Sequence, residues 1–112
     1  MPVITLYIPK ELCSEQYSDV SSQFQKKCAS LCIQRLGASP EKIQIQILVA
    51  CLPPLGRPVY AEVKYRQNPN RDADLMTLFM EELEGIISLY YSVGTPRIRC
   101  FPQSSESLYA RN

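Results

Sequence analysis

The chain has 112 residues, a formal net charge of +1, 46% hydrophobic residues, no histidine and no tryptophan. That length holds one domain, residues 1–112, with enough apolar content to fill a core, and near-neutrality removes any general attraction to nucleic acid or anionic lipid. Without histidine there is no Ser-His-Asp triad, no Cys-His pair and no His-ligated zinc, so a base working near neutral pH must be a shifted carboxylate, lysine or cysteine, or the chain's own amino group.

The first residues, MPVITLYIPKE, have no basic leader and no long apolar run, and no apolar stretch approaches the ~20 residues of a membrane span. Val3 to Pro9 reads as a strand, because Ile4, Leu6 and Ile8 alternate with Val3, Thr5 and Tyr7. Ser14 to Leu36 reads as a helix, with Tyr17, Val20, Phe24, Cys28, Leu31, Cys32 and Leu36 recurring at three and four. Ser14 is placed to cap it, Glu15 favours its first turn, and Gly37 stops it. Lys42 to Leu52 is a second strand, with Ile43, Ile45, Ile47 and Val49 on one face and Gln44, Gln46 and Leu48 on the other. CLPPLGRP is a loop. Val59 to Arg66 is a third strand, and RQNPNRD a polar turn. Asp72 or Asp74 caps a second helix that runs to about Val93, with Leu75, Leu78, Phe79, Leu83, Ile86, Ile87 and Tyr90 as its stripe. Arg97 to Phe101 is a short fourth strand, in which Arg97, Arg99 and Phe101 share a face and Ile98 and Cys100 turn to the helices.

The order is β-α-β twice over. Right-handed crossovers make each half's strands parallel and put both helices on one side. The expected fold is α+β: a four-stranded sheet with two helices on one face. The other face lacks cover within one chain, which points to a partner subunit.

Five cysteines, Cys13, Cys28, Cys32, Cys51 and Cys100, an odd number with no export signal, point to free thiols in a reducing, cytoplasmic setting. Cys28 and Cys32 lie one helical turn apart but have no further ligands nearby, so they read as core residues, and no metal or cofactor is expected. Glu81, Glu82 and Glu84 read as a solvated helix face.

Two fold families share this outline. A ferredoxin-like RNA binder lacks support, because VYAEVKYR carries no RNA-recognition signature and parity puts Tyr60 and Tyr65 on opposite faces. The start MPVITLYIP, running straight into an alternating strand and then a long helix, resembles the 4-oxalocrotonate tautomerases and macrophage migration inhibitory factor. VYAEVKYRQNPNRD and RIRCFPQSSESLYARN resemble a branch of that tautomerase superfamily with an acidic residue in the third strand.

The resemblance implies a homotrimer whose initiator methionine is removed, leaving Pro2 as the amino terminus. A free α-amino group titrates around 7.7–8.0, and burial or nearby cations lower that value toward the range a proton-abstracting base needs. The ring fixes the nitrogen, which limits the freedom lost on reaction. The implied activity is keto–enol proton transfer on a small carboxylate-bearing carbonyl compound. If Met1 stays, the Pro2 nitrogen is an amide and no base, and the chain reads as a non-enzymatic oligomeric binding module with a vestigial proline pocket. Three positions where relatives carry cations fall here on Lys10–Leu12, Ala38 and Gln44. The substitutes are Arg99, Arg66, Lys64 and Arg97, with Arg99 and Arg66 foremost as carboxylate binders. Glu62 is a candidate acid or water-orienting group, or else an ion-pair partner of Lys64 or of an arginine across the sheet. Pro2 itself is expected at a surface-level strand start, where substitution costs under ~1 kcal/mol.

Overall fold

In the computed structural model the elements run β1 (Val3–Pro9), α1 (Tyr17–Leu36), β2 (Gln44–Ala50), β3 (Tyr60–Arg66), α2 (Ala73–Tyr91) and β4 (Arg97–Gln103). The structure describes residues 2–13, 17–91 and 94–111, with the side chains of α1 described from Asp19 onward. The expected cap Ser14, its neighbour Glu15 and the expected helix end at Val93 lie outside the described residues.

The α+β architecture is the expected one: a single sheet in the order β2-β1-β3-β4 with two helices. β1 pairs parallel to β2, with Val3 opposite Gln44, and β3 pairs parallel to β4, with Tyr60 opposite Arg97. A parallel pair needs a crossover, and α1 and α2 supply one each. The halves join through the antiparallel pair β1–β3, with Val3 opposite Lys64.

Period-two alternation puts Ile4, Leu6, Ile8, Ala61, Val63 and Tyr65 on the helix side, all buried, with Ile98 and Cys100 packed against the same core. Phe24, Cys28 and Cys32 of α1 and Phe79, Leu83 and Ile87 of α2 meet them with 0% exposure. Phe24 stands edge-on to Tyr90 and Tyr91, with ring centroids 6.4 and 5.4 Å apart. Burial raises both helix thiols, Cys32 to about 12 although the nearby Arg71 guanidinium pulls it down. Both are therefore protonated core residues and poor nucleophiles, and all five cysteines are unpaired. Among the described residues no helix is long and apolar enough to cross a membrane.

The boundaries differ from expectation for local reasons. β2 begins at Gln44 because Pro40–Lys42 forms a tight helical turn first. β3 begins at Tyr60, one residue after the buried Val59, whose carbonyl accepts the Arg97 N–H at 3.0 Å. β4 continues past Phe101 through Pro102, since an edge strand has one unpaired side and tolerates a missing N–H there. Asp72 is the cap of α2: its Oδ1 accepts the Leu75 N–H at 2.9 Å. Gly37 ends α1 at φ +65, in the left-handed region.

Arg71 departs most from its sequence reading. It lies in the polar turn, yet it is 7% exposed. Its Nε and Nη2 donate to the Leu36 carbonyl at 3.2 and 2.9 Å, and its Nη1 donates to the Arg66 carbonyl at 2.6 Å. A cation at the negative end of α1 satisfies a carbonyl the helix leaves open and ties that end to the end of β3. Hydrogen bonding to a charged group of this kind contributes about 1.5–3 kcal/mol net. Arg71→Ala is expected to lower stability by about 2–3 kcal/mol. Arg71→Lys should recover less than half of that, since an ammonium lacks the planar fork. Urea titration checks this. A midpoint unmoved in Arg71→Ala would show the bridge to be dispensable.

On the other face lie Thr5, Tyr7, Gln46, Leu48, Glu62, Lys64, Arg97, Arg99 and Phe101, with no helix over them. Tyr7, Leu48 and Phe101 are exposed at its margins. Its centre is polar, with Gln46 Nε2 donating to Thr5 Oγ1 at 2.8 Å.

Candidate active site

Pro2 heads the central strand β1. Its carbonyl accepts the Gln44 N–H at 3.0 Å, and its ring is less than 2% exposed, continuing the helix-side series of Ile4, Leu6 and Ile8. The surface-level start expected from the sequence is thus corrected. β1 lies between two strands that both extend to its first residues, so pairing and packing reach Pro2.

The other candidates spread along the sheet. Arg66 lies at the Pro2 end, because β3 runs antiparallel to β1 and passes Val3 at Lys64. Its side chain is exposed and its carbonyl holds Arg71. Glu62 is opposite both Thr5 and Arg99 in register, but its Oε1 lies 3.4 Å from Lys64 Nζ, so the ion-pair arrangement considered for it is the one present. Among the described residues Arg99 makes no ion pair and no side-chain hydrogen bond. Arg99 is two strands across from Thr5, three residues along β1 from Pro2, which separates Arg99 from Pro2 by about 14 Å. A single protomer therefore puts Arg66 at the Pro2 end of the sheet, but on the face opposite the Pro2 ring, and leaves Arg99 and Glu62 farther along it. Pro2 lines none of the four main cavities formed by the described residues.

The opposite end of the sheet holds a cleft of about 440 Å³. The 51–58 loop, which carries the chain from β2 to β3, forms one wall with Leu55 and Arg57. Tyr7, Tyr60, Arg97 and Arg99 form the other. The Tyr7 and Tyr60 rings stack at 5.6 Å and 16°. Arg57 Nη1 donates to the Thr95 carbonyl at 3.0 Å, which brings the loop against the start of β4. The Tyr60 hydroxyl is pushed up from its ordinary value, by burial first and then by the Glu62 charge, with Arg99 and Arg97 pulling against them. It therefore stays neutral at neutral pH. Arg57 does not stand out in the sequence, because a proline-rich loop carries no periodicity that aims a side chain. The one available signal was that this loop must close on the strand ends holding Tyr60 and Arg97.

No protein-family model and no curated protein matches the chain by sequence. Solved structures match it in fold. A member of the cis-3-chloroacrylic acid dehalogenase family superposes with a TM-score of 0.79 at 10% identity, over 96% of this chain and 79% of that one. A macrophage migration inhibitory factor-like protein from Entamoeba histolytica gives 0.74 at 6% identity, over 98% and 95%. A fused 4-OT, described as a symmetric trimer, gives 0.75 at 11%, over 98% and 92%. At these identities the likeness is one of fold, and the fold is the tautomerase-type one that the opening MPVITLYIP resembles.

Proposed function

We propose, from this tautomerase-type fold, that the chain is a tautomerase-like enzyme. In this reading the amino-terminal Pro2 acts as the base for keto–enol proton transfer on a small carboxylate-bearing carbonyl compound. The observation that carries the proposal is the burial of the Pro2 ring at the head of the central strand. Once Met1 is removed, the Pro2 nitrogen becomes a secondary amine, and desolvation at a buried ring favours its neutral form. The amine takes a proton from the carbon next to the carbonyl and returns it to the other end of the enol system.

In this reading Arg66, at the same end of the sheet but on the face opposite the Pro2 ring, is the group that holds the substrate carboxylate. Arg99 and Glu62, about half a strand away, serve the site only where another protomer presents them. A homotrimer provides that arrangement. The uncovered sheet face supports it, and so does the trimer described for the fused 4-OT of the same fold. The five unpaired thiols fit a cytoplasmic setting.

A second reading, a non-enzymatic oligomeric binding module, is favoured by one observation: Pro2 lines none of the main cavities. Three measurements separate the readings. Intact mass is expected to lack the initiator methionine, light scattering to give three times the chain mass, and proton NMR to show exchange of the α-protons of a keto acid with solvent deuterium. A processed trimer without exchange would leave the binding module. A monomer at micromolar concentration would remove the shared site.

A further inference from the structure

We propose that the cleft between the 51–58 loop and the sheet binds an aromatic phosphate monoester, a planar ring carrying a dianionic phosphate. Its two halves match the two parts of such a ligand. Arg57, Arg97 and Arg99 line it and no acidic side chain does. Guanidinium stays charged at any physiological pH, so the cleft holds three fixed positive charges. Arg97 and Arg99 project from the same face of one strand, and Arg57 meets that strand's start through its bond to the Thr95 carbonyl.

Three arginines lining one cleft from two walls suit a tetrahedral group with three terminal oxygens, each able to accept from a different arginine. A carboxylate, with two coplanar oxygens, is satisfied by one or two of them. Beside the arginines, the Tyr60 ring, backed by Tyr7 stacked against it, and the apolar Leu55 give an aromatic and apolar wall for a ring. All of these residues belong to one chain, so the cleft does not rest on the proline chemistry.

The test is calorimetric titration of the full-length protein at fixed low salt with three probes: phenyl phosphate, inorganic phosphate and phthalate. Phenyl phosphate is expected to bind saturably, one per protomer, about tenfold more tightly than either other probe. Tyr60→Ala is expected to remove that advantage over inorganic phosphate, about tenfold. Arg57→Ala and Arg97→Ala should each weaken both phosphates about tenfold or more. These two arginines are chosen because neither has a part in the proposed proton transfer. Phthalate binding as tightly as phenyl phosphate would overturn the phosphate assignment. Equal affinity for phenyl and inorganic phosphate would overturn the ring assignment. Unchanged affinities in both arginine variants would place the binding elsewhere. Circular dichroism of each variant separates a lost site from a lost fold.

Discussion

Phe79→Ala is expected to lower the unfolding free energy by about 3–5 kcal/mol, the usual cost of removing a buried aromatic ring and leaving its space partly unfilled. Phe79 is 0% exposed and sits on the α2 stripe with Met76, Leu83 and Ile87. A domain of this size has only about 5–15 kcal/mol in total, so the melting temperature should fall by on the order of 12–20 °C. The neighbouring Leu78, expected on the apolar stripe but in the structure on the solvent side and 37% exposed, is the internal control. Leu78→Ala should cost less than about 1 kcal/mol. Thermal scans of both variants at one protein concentration, so that any assembly contributes equally, check the pair. Similar losses at 78 and 79 would mean that α2 does not present the face described.

Pro2→Ala is expected to lower α-proton exchange by about 10²-fold. Alanine keeps an amino group but loses the ring that fixes the nitrogen. The stability cost should be about 1–2 kcal/mol, from the two ring carbons removed from a fully buried position, and not the smaller loss a surface residue would show. A chain that retains Met1 separates the two effects. Its Pro2 ring is intact, so stability is expected to be unchanged. Its nitrogen is an amide, so exchange is expected to fall by about 10²–10⁴-fold, toward the solvent background. If the Met1-retaining chain exchanges protons as fast as the processed one, Pro2 is not the base. If Pro2→Ala loses activity only in proportion to the fraction unfolded, Pro2 is a packing residue.

Much of the fold was legible because alternation is a local signal. β1 falls on Val3–Pro9 as its pattern requires, and Ile98 and Cys100 turn to the helices because Arg97 and Arg99 alternate with them. What escaped depends on residues distant in sequence. Arg71 reads as one more charge in a polar turn, and only the arrival of the α1 end, 35 residues earlier in the chain, makes it a buried bridge. Pro2 reads as a free end, and its burial appears only when strands from both halves flank it. The candidate site was legible residue by residue but not as a constellation. Parity places Arg99 on the open face, as expected, but parity says nothing of how far along the sheet it sits from Pro2.

The position of β1 between β2 and β3 also sets an order of events during synthesis. Pro2 emerges first, yet the N–H that receives its carbonyl belongs to Gln44, and the flanking strand β3 ends at Arg66. At about 5–20 residues per second, several seconds pass before either neighbour exists, and through that interval the amino terminus is an unfolded, accessible tail. Once both strands dock, the ring is enclosed. The proposed chemistry therefore requires the initiator methionine to be removed from the nascent chain, and a population that missed this interval would carry its amide into the folded state.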